Sequence, residues 1–334
     1  MPYHLDPSAC AECALGGCIE DRRINKVRNR DTKFRLNQTT AMHCTFGEFV
    51  PGSESDPDPG RTFDEYLTQF RANALAAGES IYGNEFEIKG PALAKVEGDV
   101  FELMEAAVIW NALAVWNRYM DGNEWNSAIF RKPEGAVATP SRKAAALKLP
   151  RGYDATLLFK EGVRASIQAH EQALKLRGME LGLSCPDIVG IRIPEPMPPE
   201  FAPFLSPLEG LAKTHRHTLE NIHHAVEGTL DGRSFLFAIA VKRTTRSDRL
   251  YQPLFESNVL KYLIEEVLRG AAFRFHVHMG SLEGADVLGR YNAASLTSLL
   301  RGGEPTKAVD KTYHAVRPTD TAQLILDDLP LFPL

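Results

Sequence analysis

The chain has 334 residues, 44% of them hydrophobic and 24% charged, with a net charge of −5. This is ordinary globular composition with length for a substantial core, in one large domain or two smaller ones. No apolar run approaches the ~18 residues of a membrane span, and the opening Met1-Pro2-Tyr3-His4-Leu5-Asp6 lacks the basic-then-apolar order of a signal peptide. The sequence therefore predicts a soluble cytoplasmic protein with no membrane partner.

From the N-terminus, Cys10-x-x-Cys13, Cys18 and His43-Cys44 offer a small zinc site, although the second half lacks a recognised spacing. The other reading is unlinked thiols, because five cysteines (Cys185 is the fifth) are an odd count for a disulfide framework. Between Asp21 and Arg35 stand seven basic residues against two acidic ones. Phosphate contacts are made by a face and not by an average, so the acidic total does not exclude a nucleic-acid partner.

Pro51 to Gly60 is a polar loop rich in breakers. Gly98 to about Tyr119 carries Phe101, Met104, Val108, Trp110 and Trp116 without proline, which predicts a long helix. Tyr153 to Phe159 reads as a strand. Asp187 to Ile193 is β-rich, opens at Pro186-Asp187 and ends at Pro194, and an irregular stretch follows to about residue 208. Phe235 to Lys242 is a buried strand whose last side chain shares a face with the small Ala238 and Ala240.

Pro253 suits the first turn of a helix running to about Arg269, with Glu256 in or next to that turn. Phe273 to His278 alternates as a strand, with His276 and His278 on one face where core packing competes with metal ligation. His215, His217, His223 and His224 fall on a polar helix or loop. The elements predict one elaborated α/β domain, a central mixed sheet flanked by helices.

Asp187, Lys242 and Glu256 are separated by 54 and 13 intervening residues. Alone, each has an ordinary explanation: a turn cap, a solvated strand end, a carboxylate at a helix dipole. Together, on compatible elements, they can converge. Phosphodiester hydrolysis needs an activated water, stabilised charge on the phosphorane and help for the leaving oxygen. Mg²⁺ held by carboxylates supplies these, and a lysine adds positive charge at the phosphate. Asp187 and Glu256 are candidate ligands, with the Val241 carbonyl as a further one. Beside them stands Arg246-Ser247-Asp248-Arg249. Arginine donates to guanine O6 and N7 while aspartate accepts from cytosine N4, so Arg246, Asp248 and Arg249 suit a G·C-only site; the bland alternative is a solvated turn.

Pro186-Asp187, Lys242 and Glu256, with Lys242 through Arg249, resemble the PD-(D/E)xK variant of type II restriction endonucleases that recognise a CCGG core. The usual second acid lies two residues before the lysine. Here that position is Ala240, and the resemblance implies that Glu256 on the following helix replaces it. The SgrAI-like branch, which extends CCGG by an outer pair on each side, is the most similar. The likeness rests on Val27-Arg28-Asn29-Arg30, Thr45-Phe46-Gly47-Glu48, Lys95-Val96-x-Gly98-Asp99-x-Phe101-Glu102, Trp110-Asn111 and Arg246 through Leu254.

It implies a restriction-endonuclease-like fold and a Mg²⁺-dependent enzyme in which Mn²⁺ substitutes. Glu102 would be the additional active-site acid, with Glu97 and Glu105 as competing candidates. Arg30 and Lys95 would lie near the DNA. Residues 1–95 would be a DNA-contacting region, 96–280 the catalytic core and 281–334 a C-terminal extension. The partner would be double-stranded DNA, cut by a homodimer that can assemble further into tetramers or larger arrays, leaving 5′ overhangs and 5′ phosphates. The rivals are a structure-selective or repair nuclease on the same fold and a non-catalytic, zinc-bearing DNA-binding regulator.

Overall fold

The computed structural model describes residues 18–21, 34–182, 185–244, 247–270, 273–283, 286–302 and 304–332; the side chains of 20, 21, 247–249 and 301 are not among those described. Arg30, Cys10, Cys13 and Arg246 lie outside these residues. The elements in chain order are β1 (Ile19–Asp21), β2 (Phe34–Leu36), α1 (Gln38–Phe46), α2 (Phe63–Tyr82), α3 (Gly90–Met120), β3 (Ala144–Lys148) and α4 (Glu161–Lys175). Then come β4 (Ile188–Arg192), α5 (Lys213–Ala225), β5 (Phe235–Lys242), α6 (Ser247–Lys261), β6 (Arg274–Met279), α7 (Val287–Tyr291), α8 (Leu296–Arg301), β7 (Lys311–His314) and α9 (Pro318–Asp328).

β3 to β7 form a five-stranded sheet in chain order. β3, β4 and β5 are antiparallel neighbours, and β5, β6 and β7 run parallel. This is the predicted mixed sheet. β5 is central and its run Phe-Leu-Phe-Ala-Ile-Ala-Val is buried throughout, as expected of a strand covered on both faces. Gly190 of β4 lies against the Phe237 ring so closely that an added Cβ would stand 2.1 Å from a ring carbon. Only glycine fits that approach.

α3 is apolar around most of its circumference, so it forms the interior layer. It packs on β3 and α9. Asn117 ties it to the sheet: its amide donates to the Ala144 carbonyl (2.8 Å) and its carbonyl accepts from the Ala144 amide (2.9 Å). α3 starts eight residues before the expected Gly98. Pro91 occupies its first turn, where a missing N–H costs nothing, and Gly98 is carried inside the helix.

Two expectations are corrected. Tyr153–Phe159 is no strand; residues Ala155–Leu158 form a 3₁₀ turn capped by Asp154, which accepts from Thr156. The strand is β3, Ala-Ala-Ala-Leu-Lys, whose small residues carry little β signal. Pro253 does not open its helix. α6 begins at Ser247, Pro253 lies inside it, and a π-helical turn, Tyr262–Val267, continues it. Glu256 is therefore more than two turns in, not in the first turn. Among the histidines, His276 and His278 are buried in the core, as packing suggested, and His223 is buried on α5. Cys18 and Cys44 are buried and Cys185 is partly buried.

Candidate active site

β4 and β5 are neighbours, so the start of one lies beside the end of the other. Asp187 precedes β4. Its Oδ2 accepts from the Val241 amide at 2.7 Å and from Lys242 Nζ at 2.9 Å. The backbone fixes this corner from the other side, where the Leu149 amide donates to the Asp187 carbonyl at 3.0 Å. Lys242 is largely buried with its partner.

Glu102 approaches from α3. Lys148 Nζ lies 3.5 Å from its Oε2 and Arg151 Nη2 lies 3.6 Å from its Oε1, while Arg151 also donates to Asp99 at 2.7 Å. Burial raises the Glu102 carboxyl above the ordinary carboxylate range and the Asp187 charge adds to the rise. Lys148, Arg151 and Lys242 oppose it. Two carboxylates that repel one another, in a partly desolvated corner, are the donor set a divalent cation relieves.

Asp187, Val241, Lys242, Glu102 and Lys95 all line one cleft of about 1130 Å³, together with Arg151, Cys185, Arg243 and Gln252. Glu256 is not on its wall. It is only 1% exposed and accepts from Gln252 at 2.6 Å. Its field still reaches the cleft: the Cys185 thiol is pushed up to about 12 by burial first, then by Asp187 and Glu256. The other acids considered face elsewhere. Glu97 pairs with Arg71 and, at 3.6 Å, with Arg243; Glu105 is buried against His278. Asp248 and Arg249 belong to the first turn of α6. Among the described residues no three His, Cys, Asp or Glu side chains form a group able to hold a metal ion.

Lys148 and Arg151 had no motif to announce them; they reach Glu102 because α3 packs on β3. They yield a prediction. The charged carboxylate is the form that holds a cation, so Mn²⁺ binding should fail on acidification at a higher pH than an isolated glutamate would give. Lys148→Ala removes a cation that lowers the Glu102 pKa, so it should move that failure to still higher pH. Mn²⁺ titrations across pH check this, and an unmoved acid limb would separate Lys148 from Glu102.

Three antiparallel strands continued by parallel ones, with an aspartate–lysine pair where the central strands meet at a cleft, define the class as a restriction-endonuclease-like nuclease. The description "Cfr10I/Bse634I restriction endonuclease" matches residues 61–329, most of the chain, and the chain belongs to that family; it is a type II site-specific deoxyribonuclease. Two solved structures are similar. One is the type IIF restriction endonuclease Bse634I with cognate DNA, 17% identical, with a TM-score of 0.70 over 94% of this chain and 97% of that one. The other is Bse634I restriction endonuclease, also 17% identical, with a TM-score of 0.71 over 93% and 97%. No curated protein sequence matches the chain. Among the described residues no helix is long and apolar enough to cross a membrane.

Proposed function

We propose that the protein cleaves both strands of double-stranded DNA at a palindrome with a CCGG core, in the manner of the SgrAI-like branch, leaving 5′ overhangs and 5′ phosphates. The observation that supports cleavage is Asp187 held by Lys242 and the Val241 amide on the wall of the cleft that Glu102 also lines, and the CCGG core rests on the sequence resemblance. Restriction endonucleases generally use Mg²⁺; Asp187 and Glu102, which line the cleft, would hold the ion with the Val241 carbonyl, and Glu256 would join them by turning from Gln252. When bound, it supplies Lewis-acid stabilisation to the attacked phosphate. Lys242 orients or deprotonates the attacking water. Lys95 and Arg30 lie along the DNA. Arg246, Asp248 and Arg249 read the core, each subunit of a homodimer taking one half, because two-fold protein symmetry mirrors two-fold DNA symmetry.

Digestion of a sequenced plasmid in Mg²⁺, followed by sequencing of the ends, tests the reading. Discrete ends at CCGG are expected, and they would also reveal the outer bases; random ends would replace it with a repair-type nuclease. Arg249→Ala should cost roughly 1–3 kcal/mol of discrimination at the core. Binding measured across a panel of sites decides the point, since a uniform loss would mark Arg249 as a phosphate contact.

A further inference from the structure

Glu256 stands close to the acids of the cleft and is turned away from them. It is 1% exposed and absent from the cleft wall. Its charge is nevertheless felt on two sides. After burial itself, Asp187 and Glu256 push up the Cys185 thiol on the cleft wall, and Glu256 raises the buried Tyr291 hydroxyl on α7. Glu256 therefore lies between the cleft and α7, within electrostatic reach of the corner that Asp187 occupies.

Gln252 links the two environments. It is exposed and lines the cleft, and it precedes Glu256 by four residues on α6, so the two side chains share one helix face. Its Nε2 donates to Glu256 Oε1 at 2.6 Å, a short bond of the kind an ionised acceptor makes. A carboxylate this deeply buried must be hydrogen-bonded to stay charged, and Gln252 supplies one of the donors.

The direction of the effect follows from where that bond exists. It forms only while Glu256 is parked behind the wall. Removing the amide raises the energy of the parked carboxylate and leaves the cation-facing one unchanged, so the equilibrium moves toward the cation. An acceptor that enters the cleft and takes the amide does the same. Non-bridging phosphate oxygens of DNA are such acceptors, and Gln252 follows the proposed base-reading Arg249 by only three residues.

We infer that Gln252 is a positioning residue for the metal: its amide latches Glu256 away from the cleft, and a DNA phosphate that takes the amide releases it. Metal affinity is thereby tied to occupancy of the cleft, and the coupling is reciprocal. The inference rests on the metal role proposed above for Asp187 and Glu256; the hydrogen bond does not.

Mn²⁺ binding to the full chain, read from the electron paramagnetic resonance signal of free Mn²⁺, tests it. Gln252→Met keeps the length and loses the amide, and Gln252→Ala is the second variant. The side chain is exposed, so circular dichroism and thermal melting should show folded proteins. Without DNA, both variants should bind Mn²⁺ ~10-fold more tightly than the wild type (about 1.4 kcal/mol). In a Glu256→Gln background the same substitutions should change nothing, because the latched carboxylate is gone. A CCGG duplex is then added, with Lys242→Ala in every protein to block turnover. It should tighten Mn²⁺ binding ~10-fold where Gln252 is present and leave the Gln252→Met protein nearly unchanged.

Mn²⁺ affinity that is unchanged or lower in Gln252→Met would overturn the inference. So would a gain that persists beside Glu256→Gln, or a duplex effect of equal size with and without the amide. Asp187→Ala separates the latch from the functional reading. Mn²⁺ binding that needs Asp187 but ignores Gln252 removes the latch alone, whereas binding indifferent to Asp187 removes the proposed metal site and the latch with it.

Discussion

Lys242→Ala should lower the single-turnover cleavage rate by on the order of 10³-fold while leaving the affinity for the cognate duplex within a few-fold. The ammonium sits 2.9 Å from Asp187 Oδ2, in a corner that also holds the Glu102 carboxylate. Its removal takes away the positive charge nearest the phosphate on the proposed pathway. It leaves the proposed base-reading residues and the Lys95 and Arg151 side of the cleft untouched, which is why binding should survive. Lys242→Gln keeps much of the length and no charge, so it should be nearly as inactive. Lys242→Arg should not restore activity, because a planar fork cannot replace a compact ammonium at a single carboxylate oxygen. Rates are read on a duplex under single-turnover conditions, and affinity by anisotropy in Ca²⁺. Cleavage retained by Lys242→Ala would remove this residue from the chemistry. Equal losses of binding and rate would make it a DNA contact instead.

The parts of the fold legible in the sequence are those with strong periodicity. β5 is found to the residue, because an eight-residue apolar run ending in lysine admits few alternatives. The sheet class and the long inner helix follow similarly. β3 escaped because three alanines in a row carry no strand preference; their smallness suits the close packing of α3 instead. The start of α6 was displaced because proline is a stronger local signal than the polar turn that actually opens the helix, while tertiary packing tolerates Pro253 inside it.

The site divides along the same line. Asp187 and Lys242 stand where two adjacent strands meet, so strand assignment alone brings them together. Glu102 comes from a helix far away in sequence, and spacing could not choose it over Glu97 or Glu105; only the family resemblance favoured it. In the structure the three acids differ in direction. Glu97 is taken by two arginines, Glu105 turns into the core, and Glu102 lines the cleft. Lys148 and Arg151 depend on the packing of α3 on β3, a contact that no local pattern specifies.

The inward acid provides the largest expected stability effect. Glu105 and His278 are both fully buried and share a hydrogen bond between α3 and β6. Glu105→Ala should destabilise the protein by roughly 3 kcal/mol, because it leaves a histidine side chain in the core without its partner. His278→Ala should cost a similar amount. The double replacement Glu105→Leu with His278→Phe should cost markedly less than the two singles added together, since exchanging both polar groups for apolar ones removes the unsatisfied partner as well. Urea unfolding of the wild type, the double variant and the matching Glu105→Leu and His278→Phe singles measures the coupling, and strictly additive losses would show that the pair is not energetically linked.

The consequence reaches the site through geometry. Glu105 is one helical turn from Glu102, so the bond to β6 fixes the rotation of α3 that points Glu102 into the cleft. Mn²⁺ affinity measured far below the unfolding midpoint should therefore fall in Glu105→Ala, where the helix loses its anchor. It should be better preserved in the double variant, where packing replaces that anchor. Equal affinity in the wild type and both variants would mean that Asn117 and the packing of α3 hold its rotation without help from Glu105.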